Sequence, residues 1–577
     1  MTGYHRFVPR RPGLVDLAVA AVVFALVYAL VRVGAGLRAP LAAAAPDAIR
    51  LEPAFLPYYA GRSILRMVAA FALSVAFSLG YGYLAARSAR AERFLIPLLD
   101  VLQSVPVLGF LSVSINALTG LFPGQIVGLE LASIFAIFTS QVWNLTFAFY
   151  YSLSSLPREL RLVSDVYRLS PWQRFTRLEL PGSMIPLVWN GMMSFGGGWF
   201  FLAASEAITV LNRRLMLPGV GSYLATALER ADARAVGYAI LTMALVVLGI
   251  DQLVWRPLVA WAERFKLEQT PSAVAPSSAV LMLLRRSALV DAFERGVLTP
   301  LGTFVSAAMD RLWRGGATLA GRLAARRSPL WAWAGRVVLV AAGLGLLRYA
   351  WLAALLVSHM GARQIGWVAW LGILTLLRVM AAVGLGAAWT VPVGVLIGLH
   401  PRLAAMGQGL VQLAAAFPAN MLFPFIAFVY ARWHVNFEVG SVLLMMLGTQ
   451  WYILFNVIAG ASQLPAELKE AALVFGVGGW TRWRRVILPA VMPSLVTGCL
   501  TAAGGAWNAS IVAEVTAWGS TRLVATGLGA YITEVTRVGD RAGIVWGITS
   551  MAILVVLLNR LLWRPLYLRA ESRCSLA

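Results

Sequence analysis

Long apolar runs separated by short polar stretches dominate the pattern along this chain. A helix needs roughly 20 apolar residues to cross a bilayer. Runs of that length predict spanning helices at residues 15–36, 61–86, 95–119, 124–152, 184–210 and 235–258. They recur at 332–357, 367–399, 403–430, 437–460, 490–515 and 543–563. One polar stretch between these runs has a pattern of its own. Residues 464–489 place Leu468, Ala471, Ala472 and Phe475 at helical spacing, with Glu467, Lys469 and Glu470 between them. Gly476, Gly478 and Gly479 follow, and glycine readily takes the left-handed conformation that ends a helix. A basic, Trp-rich piece comes next (Trp480, Arg482, Trp483, Arg484, Arg485), and Pro489 opens the following apolar run, where its missing N–H costs little. The pattern predicts a helix–turn–helix lying on the membrane surface, though an ordinary cytoplasmic loop fits its shape as well.

Residues 156–181 repeat that stretch. Leu156/Leu464, Pro157/Pro465, Glu159/Glu467, Leu160/Leu468, Trp172/Trp480, Arg174/Arg482, Leu180/Leu488 and Pro181/Pro489 align without a gap at an offset of 308. The register continues through Gly197/Gly505, Trp199/Trp507, Glu206/Glu514, Gly219/Gly527, Gly221/Gly529 and Tyr223/Tyr531 to Trp255/Trp563. Upstream the offset is 312, pairing Arg66 with Arg378 and Pro106 with Pro418. Self-similarity of this length is an internal duplication. It predicts an all-α integral membrane protein of twelve transmembrane helices in two six-helix repeats, residues 1–266 and 332–577. An even helix count gives both repeats the same orientation, with a pseudo-twofold axis along the membrane normal. Residues 267–331 join them, opening on TPSAVAPSSAV and turning amphipathic, with arginines set against Glu268, Asp291, Glu294 and Asp310. That composition suits helices in an anionic interface, and equally a tether between the halves.

Composition excludes a soluble protein. The 577 residues are 60% hydrophobic and only 13% charged, where soluble domains have about 45–50% apolar and about 25% charged residues. A net charge of +23 raises nucleic acid as a partner. The basic residues, nearly all Arg, instead gather in alternate loops, which is the positive-inside pattern and places both termini in the cytoplasm. No nucleic-acid partner is expected; the lipid bilayer is. Cys499 and Cys574 support neither a disulfide framework nor a thiolate metal site. The N-terminal apolar run lacks a small-residue cleavage site and reads as a retained first helix.

Glu470-Ala471-Ala472, then Gly476, then Val486-Ile487-Leu488-Pro489 resembles the EAA motif of permease subunits of bacterial binding-protein-dependent ABC importers. The flanking TQWYILFNVIAGASQLPAELKEAA and GGAWNASIVAEV are similar to the nitrate, sulfonate and taurine branch of that family. The resemblance covers about residues 61–265 and 367–570, so the chain resembles two permeases fused in one polypeptide. It implies a multi-pass protein of the bacterial inner membrane that moves a small solute by alternating access, an anion such as nitrate, a sulfonate or taurine. It also implies a cytoplasmic coupling helix in each repeat, docked on ABC ATPase subunits, two of them, and a periplasmic or lipid-anchored substrate-binding protein outside. The coupling residues would be Glu467, Glu470, Ala471, Ala472 and Gly476 in the second copy and Glu159, Leu160 and Arg168 in the first. The first copy departs from the motif, with Leu162-Val163-Ser164 and Arg168 where the second has Glu470-Ala471-Ala472 and Gly476. Arg168 pays a steric cost in the left-handed region that glycine does not, so the two copies are expected to be unequal.

Several chemistries are absent from the sequence. A P-loop needs a Gly-rich turn ending in Gly-Lys-Ser/Thr, and the lysines, Lys266 and Lys469, follow Phe265 and Leu468. ATP and its Mg²⁺ are therefore expected on a separate subunit, with no cofactor in this chain. His5, His359, His400 and His434 are scattered, so no catalytic, cofactor-binding or metal site is expected and the chain is not read as an enzyme. Ionisable residues inside spans default to functional candidates. Arg66 and Arg378 fall near the outer starts of their helices, and Glu206 and Glu514 near the outer ends of theirs. They could form an ion pair within each half or touch an anionic solute directly. Asn190 and Asn508 would line the path if it follows the fifth helix of each repeat; Gln141, Asn144, Gln450 and Asn456 suit interhelical hydrogen bonds. Arg348 suits snorkelling from a peripheral helix. Pro106, Pro418 and Pro424 interrupt the third helices, as gates or as tolerated breaks. The alternative is a secondary carrier driven by an ion gradient, which would need a protonatable or Na⁺ site near the midplane.

Overall fold

The computed structural model describes residues 49–103, 105–210, 213–265, 278–311, 329–462 and 464–574, with a few positions before residue 49. Most of the expected first span and both ends of the linker lie outside the described residues. The first repeat runs α1 (Leu56–Arg87), α2 (Ala89–Gln103), α3 (Val107–Leu121), α4 (Val127–Ser154), α5 (Arg158–Val166) and α6 (Met184–Ser205). It then forms a β-hairpin, β1 (Ala207–Val210) with β2 (Arg213–Met216), followed by α7 (Val220–Glu229) and α8 (Ala233–Ile250). The second repeat, after α9 (Pro329–Ser358), runs α10 (Ala362–Gly398), α11 (Pro401–Ala416), α12 (Phe423–Arg432), α13 (Phe437–Ser462), α14 (Ala466–Val474) and α15 (Leu488–Ala513). The hairpin β3 (Val515–Trp518) with β4 (Thr521–Val524), then α16 (Leu528–Val538) and α17 (Arg541–Leu558), complete it. Even the π-helical turns are duplicated: Phe175–Glu179 matches Trp483–Ile487, and Asp251–Trp255 matches Asn559–Trp563.

Among the described residues seven helices are long and apolar enough to cross a membrane, or eight if one bent pair counts as a span. The expected twelve are not reached, and two of the expected single spans are broken. Residues 95–119 split at Pro106 into α2 and α3, which meet at 86°. Residues 403–430 split at Pro418 into α11 and α12. Proline removes an N–H and disfavours helix in the residue before it, so the backbone turns instead of bending. The expected span 184–210 is also too long: the helix ends at Ser205 and the chain becomes a strand.

In the first repeat α1 packs along α4, and in the second α10 and α15 both pack along α13. A Cβ on Gly82 would lie 2.9 Å from Phe149, and one on Gly394 2.8 Å from Val457, so only glycine permits these crossings. Many large side chains face outward, as on α9, where Leu347 and Trp351 are about two-thirds exposed. Hydrocarbon is the fitting solvent for such a face. Arg348 is exposed beside them, its stem long enough to reach an interface.

At the end of each bundle away from α5 or α14, a buried carboxylate organises the connection. Glu206 closes α6 and is fully buried. It accepts hydrogen bonds from Arg66 Nη1 (2.7 Å), Ser63 Oγ (2.6 Å) and Gly221 N at the start of α7 (2.7 Å). Arg66 also donates through Nε to Glu130 Oε2 (2.5 Å) and through Nη2 to Pro218 O (2.9 Å), and Arg62 bonds Glu130 as well. The second copy repeats the plan. Glu514 accepts from Arg378 Nη1 (3.1 Å), Thr375 Oγ1 (2.7 Å) and Ala530 N (3.0 Å), and Arg378 pairs with Glu438. The position of Arg62 is Leu374 in the second copy, so the two clusters differ by one positive charge. Beyond this cluster Arg537 and Arg522 clamp Glu534 on α16 and hold its carboxyl down to about 2. Gly519 N in the β3–β4 turn donates to Leu228 O of α7 (3.0 Å), joining the repeats on this face.

On the other face the linker touches both parts of the first repeat's end. Asp16 accepts from Ser287 Oγ (2.6 Å) and Leu289 N (2.9 Å). Asp310 accepts from Ser170 Oγ and from Gln173 Nε2 (2.9 Å) just after α5.

Two outcomes are expected. Arg378→Ala leaves Glu438 and Glu514 facing each other without a cation, whereas Glu514→Gln leaves Arg378 still paired. Arg378→Ala should therefore cost more, about 3–5 kcal/mol for a broken buried pair, and the double change should recover part of it. Thermal unfolding of the four proteins checks this; additive losses dismiss the coupling. Separately, a Cβ on Gly219 or Gly527 would sit 2.2 or 2.3 Å from the Glu206 or Glu514 carboxylate. Alanine at either should lower the folded yield, while Gly237→Ala, with open space around it, should not.

Candidate functional site

A cavity of about 330 Å³ lies between the repeats. Its wall takes Thr139, Ser140 and Asn144 from α4, Ser194 from α6, Tyr452 from α13, Thr501 and Asn508 from α15, and Asn559 from the turn after α17. Trp143, Trp507 and Trp563 line it too, and among the described residues no Asp, Glu, Lys, Arg or His does. The walls meet because the break at Pro106 turns α3 inward: Val107 N, freed at the start of α3, donates to Asn508 Oδ1 (2.9 Å). Across the pseudo-twofold, Asn420 Nδ2, just after the break at Pro418, donates to Phe200 O (3.0 Å). A neutral, hydrogen-bonding chamber of this size can hold a small polar solute without an ion pair.

The sequence-predicted residues fall in three places. Asn508 lines the cavity, whereas Asn190 does not; its Nδ2 donates to Pro186 O one turn back (2.9 Å). Arg66, Glu206, Arg378 and Glu514 sit in the buried end clusters and not on the cavity wall. Asn144 donates to Ser194 Oγ (3.3 Å) and Gln450 accepts from Trp389 Nε1 (2.9 Å), so both bridge helices. Glu130 and Glu438 were missed by sequence reasoning. The signal was present, since both are acids at the 308 offset.

The surface segments form the third place. α5 and α14 are nine residues each and end in the same turn. Tyr167 N donates to Val163 O (3.0 Å) and Leu169 N to Ser164 O (3.0 Å); Phe475 N to Ala471 O (3.0 Å) and Val477 N to Ala472 O (2.8 Å). Arg168 and Gly476 both take positive φ, 49° and 63°. The two turns therefore share a backbone conformation, and Arg168 occupies the left-handed region despite its side chain. Glu159, Glu467, Glu470 and Gly476 are exposed, Leu160 and Ala471 half-buried. Ala472 is buried, so it braces the helix from beneath and is not part of an outward apolar face. Leu468 also packs inward. The outward apolar tips are Val166 with Tyr167 and Val474 with Phe475, all at least 75% exposed. Leu156 and Leu464 anchor the segments from below.

Residues 78–252 and 390–564 each match the family model described as binding-protein-dependent transport system inner membrane component. Among similar proteins, the bicarbonate transport system permease protein CmpB of Synechococcus elongatus is 26% identical over 193 residues, 33% of this chain and 66% of the relative. The nitrate import permease protein NrtB of Leptolyngbya laminosa is 25% identical over 193 residues, 33% of this chain and 64% of the relative. The taurine transport system permease protein TauC of Escherichia coli is 25% identical over 185 residues, 32% and 64%. The chain spans about half to two-thirds of the length of the curated relatives it matches. With both repeats matched, over more than half of its residues, the chain belongs to the family of binding-protein-dependent transport system inner membrane components, as a duplicated ABC permease fused in one polypeptide.

Proposed function

We propose that this chain is the translocation unit of an ABC importer of the inner membrane, passing a small anion inward by alternating access. The solute reading draws on relatives named for bicarbonate, nitrate and taurine. Two cytoplasmic ATPase subunits would drive it through α5 and α14, ATP and Mg²⁺ being held there, and a periplasmic or lipid-anchored binding protein would load it from outside. Both termini and the linker at 267–331 then lie in the cytoplasm. The observation that carries this reading is the pair of exposed apolar tips, Val166 with Tyr167 and Val474 with Phe475, on short helices braced beneath by Leu156 and Leu464. An exposed apolar tip rimmed by charge on each repeat is suited to a groove on a soluble partner. A braced helix would transmit the partner's movement as a rigid body. Copurification of an ATPase with the chain, expressed with its genomic neighbours, and uptake that stops without ATP are the expected results. No copurifying ATPase, with uptake that persists without ATP, would overturn the reading in favour of an ion-driven carrier.

The two coupling segments share a backbone path, so any inequality between them comes from side chains. Arg168 puts a charge where Gly476 leaves space, and Asp310 already occupies Ser170 and Gln173 of the first copy. The twin of Ser170 is Gly478, which has no side chain to be held. Gly476→Arg is therefore expected to lower uptake per ATP hydrolysed by about tenfold, a shift that corresponds to roughly 1.4 kcal/mol. Arg168→Ala should change it little, with insertion unchanged in both. Uptake and hydrolysis measured in the same proteoliposomes check this; equal defects would show that the halves couple symmetrically.

A further inference from the structure

One side of the cavity between the repeats has a twin, and the twin is shut. At the offset of 308, Leu500, Ala503, Gly504, Trp507, Asn559 and Trp563 correspond to Met192, Phe195, Gly196, Trp199, Asp251 and Trp255. Both sets surround a space, but the second encloses only about 20 Å³ against about 330 Å³. That leaves room for a water and nothing larger. Two features close it. Phe195 fills the space edge-on, its ring 5.4 Å from Phe71, 5.5 Å from Trp255 and 5.7 Å from Trp199. The counterparts of Phe195 and Phe71 are Ala503 and Val383, which leave the other copy open. Gly196 also lets α11 press in, a Cβ there lying 3.2 Å from that of Ala416, whereas Gly504 has nothing within 4 Å.

The chemistry differs in the same direction. Asp251 in the closed twin is a carboxylate, held by Arg256 Nε at 3.2 Å. Its counterpart in the open cavity is Asn559, which offers an N–H₂ donor and no charge. Ser140, Thr501 and Asn559 add neutral hydrogen-bonding groups to the same wall. We propose that the chain holds its solute in one half of this cavity, on the side of α15 and Asn559, and that it takes a small oxyanion through neutral donors. Neutral donors suit a passage site, where the solute must leave as readily as it enters. The inference rests on the permease reading above and says which half holds the solute.

Nitrate, bicarbonate and taurine are the probes, with the chain reconstituted together with its ATPase and binding protein. Ala503→Phe, which rebuilds the plug, should lower uptake of the transported probe by about tenfold or more. Asn559→Asp, which restores the charge of the closed twin with almost no change of volume, should do the same and keeps the test open if Ala503→Phe fails to fold. Phe195→Leu, in the closed twin, should leave uptake close to wild type. In the purified chain, the transported anion should raise the unfolding temperature of the wild type and not of Asn559→Asp. Unchanged uptake by both Ala503→Phe and Asn559→Asp overturns that placement, and so does a Phe195→Leu defect as large as theirs. Wild-type uptake that needs no ATP strikes the permease reading instead. A wild type that responds to none of the three probes overturns the oxyanion assignment.

Discussion

Everything at one end of this molecule depends on the burial of two carboxylates. An ion in a low-dielectric setting loses several kcal/mol of hydration, and its partners must offset that loss completely or the site fails. Glu206 and Glu514 meet the requirement with a guanidinium, a hydroxyl and a free first-turn amide of the next helix, all within 3.1 Å. Each partner comes from a different stretch of chain. One carboxylate thus ties α1, α6 and α7 together, and the other α10, α15 and α16. The hairpins follow from this, since Leu217 N and Ala525 N return to the carbonyls of Glu206 and Glu514 (2.9 and 2.8 Å) and close each loop. Gly219 and Gly527 stand where a side chain would collide with the carboxylate. The run of matched residues from 206 to 223 and from 514 to 531 is therefore the list of parts of one device, kept twice.

Much of this was legible in the sequence, for definite physical reasons. Apolar length marks a span whatever it packs against, so α1, α4, α10 and α13 were found within a few residues of their ends. The register of 308 paired Arg66 with Arg378 and Glu206 with Glu514 because repeated structure repeats its buried charges. The hairpins were not found. Ala207–Val210 continues the apolar run of α6, and over four residues a strand and a helix carry the same side chains. Glu130 and Glu438 were passed over because an acid in the first turn of a helix is ordinary there; only their equal offset marked them. The breaks at Pro106 and Pro418 were visible as prolines, but the 86° turn between α2 and α3 needs tertiary partners. The cavity could not be read at all. Its wall mixes residues from both repeats, and no periodicity within one repeat says which residues of the other will face it.

The pattern of what diverged carries its own argument. A twofold assembly of identical subunits must repeat any off-axis pocket, because every feature of one subunit recurs in the other. Two copies in one chain escape that rule, and this chain uses the freedom unevenly. The carboxylate clusters and the π turns kept their form in both halves, as features of stability should. The space between the repeats did not: Phe195 against Ala503 and Asp251 against Asn559 close one pocket and open the other. The surface segments diverged as well. The copy with the open pocket also carries Glu470-Ala471-Ala472 and Gly476, while the other is held by Asp310 through Ser170 and Gln173. Drift alone would scatter such differences between the halves. Here the surface segment without that contact runs through the turn Trp483–Ile487 into α15, which contributes to the cavity wall. The changes at Gly476 and Ala503 thus lie on one continuous stretch of chain.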